Sequence, residues 1–121
     1  MKPYTDKELE ILTILWQLKE GSVQQIHDRL NSKSGYTTTL KLMQIMFDKK
    51  LLDRRKEGKK HIYIPKLEKE DAQNYSMKNI LKSLFGGSTI GFAQSFLGNS
   101  KPNAEELQQI KDMIKKMEKD V

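Results

Sequence analysis

The chain has 121 residues, room for one domain and an appendage, and is 36% apolar and 31% charged with no cysteine. Such a composition is globular rather than disordered, its apolar runs are too short to span a bilayer, and the missing thiols exclude thiolate metal sites and disulfide switches while fitting a reducing, cytoplasmic compartment. The net charge of +6 lies wholly in residues 1–66, with fourteen basic and eight acidic side chains; residues 67–121 carry eight of each. A polyanion is the natural partner for the first stretch, because neutralising phosphates releases condensed counterions, and a merely solvated basic surface is the alternative. The start, Met1-Lys2-Pro3-Tyr4, has no apolar stretch, so no secretion signal is expected.

Thr5-Asp6-Lys7-Glu8 reads as a capping box opening a helix with Leu9, Leu12, Leu15 and Trp16 on one side and a stop at Gly21. Ser22-Val23-Gln24-Gln25 repeats the signal for a short helix that turns Val23, Ile26 and Leu30 inward, and Asn31–Gly35 is a turn cluster. A third helix is predicted from Thr37 to Lys50, burying Leu42, Met43, Met46 and Phe47. Thr37, Lys41, Gln44 and Asp48, at i, i+4, i+7 and i+11, form a polar stripe on its other side, flanked by Leu40 and Ile45. The period then changes to two. Residues Leu52 to Ile64 read as a basic hairpin turning at Gly58 and ended by Pro65.

From about Glu68 the chain is helical again to a break at Gly86-Gly87, with Tyr75, Ile80, Leu81, Leu84 and Phe85 as its apolar positions. Ser88 to Leu97 is a short apolar helix, Gly98 to Pro102 a loop, and Asn103-Ala104-Glu105-Glu106 caps a last helix with the stripe Leu107, Ile110, Met113, Ile114 and Met117. The expected fold is mainly α with a small β-hairpin: a winged helix-turn-helix domain over residues 1–66 and a C-terminal helical arm over 67–121. Three helices with one-sided apolar faces make a poor independent core, so the arm either pairs with a second copy or folds back on its own domain.

No catalytic pattern stands out. His27 and His61 lie on different elements, Asp28 is adjacent to His27 in sequence rather than across a helix turn, and no HExxH, GxSxG or phosphate-loop motif occurs. Two histidines without thiolates make no metal site, no cofactor is expected, and the chain is not read as an enzyme. The features converge instead on double-stranded DNA, where the second helix of a helix-turn-helix lies in the major groove with its N-terminal residues at the base edges. Thr37, Thr38, Lys41 and Gln44 are the candidate base-reading residues. Arg54, Arg55, Lys56, Lys59 and Lys60 are candidates for the DNA backbone, with solvated side chains the alternative for some of them. Tyr36 either bonds a phosphate or packs.

Four stretches resemble one family. Glu8-Leu9-Glu10-Ile11-Leu12 with Leu15-Trp16 is similar to the first helix of the penicillinase-repressor family (BlaI/MecI type, with copper-responsive members). Thr37-Thr38-Thr39 through Leu42 resembles the start of its reading helix, Phe47 to Arg54 the helix end and first wing strand, and Lys82 to Ser88 its dimer-arm junction. The resemblance implies a homodimeric winged-helix repressor of a palindromic operator, of the kind that regulates β-lactam resistance. It also implies a dimerisation arm built on Leu84, Phe85, Ile90, Phe92, Phe96, Leu97, Leu107, Ile110, Ile114 and Met117. In the best-known members a membrane sensor-protease signals and the repressor is cut in the arm, a segment that falls near Ala93 to Phe96 here. The chain departs from that pattern in three places. Gln94 and Ser95 stand where those members have the cut Asn-Phe bond, the C-terminal cysteines of copper sensors are missing, and Leu40 and Ile45 replace reading-helix arginines of some members. The last departure implies a different operator, read through thymine methyl groups. Two other readings stay open: a regulator whose arm senses a small molecule in a pocket at Phe92, Phe96 and Leu97, and a winged-helix module whose basic face binds an acidic protein.

Overall fold

The computed structural model describes residues 3–121. The Met1-Lys2 part of the start read above for a secretion signal lies outside them. The element order is α1 (Asp6–Leu18), β1 (Gly21–Ser22), α2 (Val23–Leu30), α3 (Tyr36–Asp48), β2 (Leu52–Glu57), β3 (Lys60–Pro65), α4 (Lys69–Phe85), α5 (Thr89–Ser100) and α6 (Ala104–Lys119). The chain divides into two compact units, the first running through Asn79 and the second covering Ile80–Val121.

In the first unit both predicted capping boxes form. Thr5 Oγ1 accepts from the Glu8 amide at 3.1 Å, and the Glu8 carboxylate accepts from the Thr5 amide at 2.8 Å. Ser22 and Gln25 do the same for α2 at 3.3 and 2.8 Å. Helix α1 stops earlier than Gly21: Lys19 takes a positive φ of 75° and its amide returns to the Leu15 carbonyl. That leaves Gly21-Ser22 free to pair as a strand, which two residues are too few to announce in sequence. The sheet is antiparallel in the order β1-β3-β2, with Gly21 opposite Tyr63 and Arg54 opposite Tyr63 on the other edge. Glu57 pairs with Lys60, so Gly58-Lys59 is a two-residue turn, and Gly58 takes the positive φ of 65° that its first position needs. This order of helices and strands is that of a winged helix.

Ile11, Leu12, Leu15, Ile26, Met43, Met46, Leu52 and Tyr63 form a fully enclosed core. Helix α3 contributes Thr39, Met43 and Met46, at i, i+4 and i+7, as its buried positions; the expected Leu42 and Phe47 are only half-buried. Its end is a left-handed cap. The Leu51 amide bonds the Met46 carbonyl and the Lys50 amide that of Phe47, with Lys50 at φ 66°. Beyond the wing, the Trp16 indole donates to the Leu67 carbonyl at 3.0 Å and the Tyr4 hydroxyl to the Ala72 carbonyl at 2.9 Å. Ala72 is buried, so the start of α4 is part of the first unit's core.

In the second unit, Gly86 and Gly87, both at positive φ, end α4. Ser88 caps α5 by accepting from the Gly91 amide at 2.9 Å. The helix runs three residues past Leu97, through Gly98 and Asn99, which were expected in a loop. A single glycine only weakens a helix, and Asn99 bonds back to the Ser95 carbonyl at 2.7 Å. The stop comes at Lys101, a left-handed cap at φ 46° whose amide bonds the Leu97 carbonyl, just before Pro102, which cannot continue a helix. Asn103 and Glu106 form a third capping box. Neither α5 nor α6 contains a buried residue. No helix among the described residues is long and apolar enough to cross a membrane.

Candidate nucleic-acid interface

The polar stripe of α3 is where the sequence placed it. Thr37, Thr38, Lys41, Gln44 and Asp48 are all exposed, on the side of the helix away from Thr39, Met43 and Met46. Among the described residues the side chains of Thr37, Thr38, Lys41 and Gln44 have no hydrogen-bond or ion-pair partner, so their polar groups are available to a ligand. The helix starts at Gly35 without a side-chain cap, unlike α1, α2, α5 and α6. Leu40 and Ile45, paired in the sequence reading, part company: Leu40 is half-buried, whereas Ile45 is 41% exposed on the stripe side.

A contact the sequence reading missed joins this helix to its neighbour. His27 Nδ1 of α2 and Thr39 Oγ1 of α3 share a 2.8 Å hydrogen bond, and the His27 ring meets the Tyr36 ring edge-on at 6.0 Å. Thr39 is buried, so this bond adds to the packing of Met43 and Met46, on the same face, in holding the outer face of α3 outward. The signal was the spacing of Thr39 with Met43 and Met46. At the opposite end, Lys49 Nζ lies 2.6 Å from the buried Glu8 carboxylate, tying the last turn of α3 to the first turn of α1.

The wing cations fall into separate groups. Arg55 is held by Glu20 through two hydrogen bonds of 2.9 and 2.6 Å, with Glu57 at 3.3 Å. The hydrogen bond from Arg55 holds the Glu20 carboxyl below its ordinary value, and the same bond raises the guanidinium still further above the range in which it could lose its proton. Arg54, on the other face of the strand, places its guanidinium carbon over the Phe47 ring, 3.8 Å from the centroid. Lys56, Lys59 and Lys60 are exposed and without an ion pair among the described residues. Lys59 and Lys60 join Tyr36 along a cleft of about 250 Å³ between the wing and the starts of α2 and α3; Gln24 and His61, which the sequence did not mark as DNA contacts, line it too.

The ten arm residues are split by exposure. Leu84, Ile90, Phe96, Leu107, Ile114 and Met117 are exposed; Phe85, Phe92, Leu97 and Ile110 are half-buried. Phe92 meets Phe85 edge-on at 5.5 Å and stacks on Phe96 at 6.0 Å, and the three rings border an open hollow of about 350 Å³. Leu97 does not line it. Gln94 and Ser95 sit within α5, so the bond between them is in helical rather than extended backbone. Among the described residues no group of three His, Asp or Glu side chains could hold a metal ion.

The sequence profile of the penicillinase repressor family matches residues 4–116. The penicillinase repressor of Bacillus licheniformis is 22% identical over 112 residues, 91% of this chain and 88% of that protein. The methicillin resistance regulatory protein MecI of Staphylococcus aureus (strain N315) is 21% identical over 111 residues, 90% of each. Among solved structures, the solution structure of the DNA binding domain of the repressor BlaI superposes with a TM-score of 0.53 and 23% identity, over 59% of this chain and 90% of that one. That likeness is one of fold: helices around a small antiparallel sheet, in winged-helix order. With the match running over nearly the whole chain, both units included, the protein belongs to the penicillinase repressor family.

Proposed function

We propose that the protein is a homodimeric transcriptional repressor that binds a palindromic operator, in regulation of the β-lactam resistance type that the names of its relatives describe. The observation that carries this is the outer face of α3, where Thr37, Thr38, Lys41 and Gln44 stand exposed and, among the described residues, unpartnered, beside the cleft of Tyr36, Lys59 and Lys60. Lys41 and Gln44 read base edges by hydrogen bonding, Gln44 suiting adenine. Lys56, Lys59, Lys60 and Tyr36, joined by Gln24 and His61, hold the phosphate backbone and supply salt-dependent affinity. Arg54 and Arg55 serve more by shaping the wing, since each is already engaged within the protein.

The second unit serves as the dimerisation arm, and the two reading helices of the pair enter successive major grooves about 34–36 Å apart. Repression is steric. A sensor-protease that ended it by cutting between Gln94 and Ser95 would have to unwind α5 to reach that bond. The hollow bordered by Phe85, Phe92 and Phe96 supports a second reading, in which the arm takes an apolar small molecule; such a ligand would raise the melting temperature in proportion to its concentration over Kd.

The deciding experiment is selection of bound duplexes from a random pool at about physiological salt. An enriched palindrome with half-sites one helical turn apart is the expected result. A flat pool, with binding that only fades as salt rises, would overturn the repressor reading and leave the basic face as a docking surface for an acidic protein.

A further inference from the structure

Hydrogen bonding by Lys41 and Gln44 leaves one feature of α3 without a role. Ile45 is a large aliphatic side chain, 41% exposed, in a helix whose Met43 and Met46 are fully enclosed and whose Leu40 and Leu42 are half-buried. It stands four residues from Lys41 and seven from Thr38, so it shares their face and takes no part in the core cluster. Together Thr37, Thr38, Lys41, Leu42 and Ile45 line a shallow hollow of about 210 Å³ that opens outward from the helix.

We propose that this hollow receives the C5 methyl group of a thymine in each half-site, with Ile45 and Leu42 as its apolar contacts and the γ-methyl of Thr38 as its wall. The inference rests on the operator reading given above and adds a specificity-determining residue to it. Three observations favour a thymine methyl over other occupants. The patch is two aliphatic side chains, Ile45 and the half-buried Leu42, set among two threonines and a lysine, too small for a protein partner. Lys41 stands in it and exposed wing lysines carry the same sign, so the occupant belongs to a polyanion. The thymine methyl is the one apolar group that base edges offer in the major groove, and it matches the side chains there that can neither donate nor accept. Leu40, the other aliphatic residue suggested by the sequence, is excluded from this role because it lines the wing cleft instead.

Replacing thymine by deoxyuridine removes the methyl and leaves every hydrogen-bonding group in place, so it isolates this contact. The selected operator is remade with deoxyuridine at each thymine in turn, and affinities are measured by fluorescence anisotropy for the natural chain and for Ile45→Ala. One thymine per half-site should stand out, its loss lowering affinity about fourfold in one half-site and about fifteenfold in both, as expected for one buried methyl each. Ile45→Ala should bind the thymine and deoxyuridine operators alike. Because Ile45 lies outside the core, its replacement should leave the thermal transition within a few degrees, which the same samples can report. An operator indifferent to deoxyuridine at every position would overturn the proposal, as would a penalty of equal size in Ile45→Ala. Either result would leave the repressor reading intact, whereas a pool with no enriched sequence would remove that reading before the series began.

Discussion

The residues up to Ala72 and those from Ile80 onward treat apolar surface in opposite ways. In the first stretch the aliphatic side chains of α1, α2, α3 and the sheet close over one another, and the polar residues drawn inside, Glu8, Ser22 and Thr39, have partners, the Tyr63 hydroxyl being the exception among the described residues. In the second, no described residue is buried. Leu84 is 75% exposed, Ile114 50% and Met117 67%, and the helices are held by their caps, by i to i+4 side-chain bonds and by three phenylalanine rings. Helices of 12 and 16 residues are marginal on local interactions alone, so the second unit needs a cover that the first does not. In the homodimer proposed above, a second copy of the chain would supply the same stripe and close it by symmetry.

The largest effect should come from breaking that cover. In the full chain, Leu84→Asp with Ile114→Asp should shift the sedimenting mass from about twice 14.1 kDa to the single-chain value and reduce helical content. Affinity for a two-half-site operator should fall about a hundredfold or more as the linked second contact is lost, while affinity for one half-site stays. A variant that keeps the doubled mass would show that these two positions do not form the interface.

The reverse perturbation belongs in the first unit. Lys49→Met leaves the Glu8 carboxylate, 3% exposed, without its cation, although the capping bond to the Thr5 amide remains. The expected cost is about 3 kcal/mol in a urea melt of the first unit's transition, with the oligomeric state unchanged. A loss below about 1 kcal/mol would mean that water reaches Glu8 and that the first unit is less closed than its burial implies.

These contrasts show which features were legible in sequence. The capping boxes at Thr5, Ser22 and Asn103 were, because each is a local pattern whose hydrogen bonds close within four residues. The polar stripe of α3 was, because one face of a helix is a simple periodicity. Long-range partners were not. Nothing near Arg55 announces that Glu20, 35 residues away, takes both its terminal guanidinium nitrogens, and nothing near Lys49 announces Glu8. The sequence reading therefore counted wing cations as equals when the fold sorts them by whether an acidic or aromatic neighbour arrives from another element. Thr39 was left out of the expected buried face for a related reason: threonine counts as polar in a pattern, yet its hydroxyl is satisfied by His27 and its methyl can be buried.

Backbone strain sharpens the comparison at smaller cost. Lys50 holds φ 66° to turn the chain from α3 into the wing, a conformation that a Cβ disfavours. Lys50→Gly should raise the stability of the first unit by about 1 kcal/mol, less whatever glycine adds to the entropy of the unfolded chain. The arm's own transition should not move. A destabilised variant would mean that the lysine side chain contributes packing that outweighs its backbone.

Electrostatic sorting of the wing predicts a smaller change, in DNA binding rather than in fold. Glu20→Gln leaves Arg55 with the longer 3.3 Å contact to Glu57, so a phosphate can compete for it and the slope of log affinity against log salt should steepen by up to about 0.9, with a modest gain at low salt. An unchanged slope would place Arg55 out of reach of the backbone. The pair also has a pH signature. The Glu20 carboxyl titrates below its ordinary 4.5, so the pair's stabilisation is complete above that value and disappears as pH falls through the lowered one. The natural chain and Glu20→Gln should therefore differ in melting temperature by a constant amount near neutrality and converge only in acid.

The smallest effect is expected at the centre of the enclosed unit. Tyr63 is fully buried at the middle of the sheet, and its hydroxyl has no hydrogen-bond partner among the described residues. Enclosing a hydroxyl without a bond costs free energy that the ring's burial must offset, and phenylalanine keeps the ring without that cost. Tyr63→Phe should thus leave the first unit unchanged or stabilise it by up to about 1 kcal/mol, the opposite of what a tyrosine in a satisfied core gives. A loss of more than 1 kcal/mol would show that the hydroxyl is bonded in solution, and would identify the core beneath the wing as wet rather than dry. Either way the result bears on the first unit alone, since every contact of Tyr63 described above, with Gly21, Arg54 and the enclosed core, is made before the chain reaches Ile80.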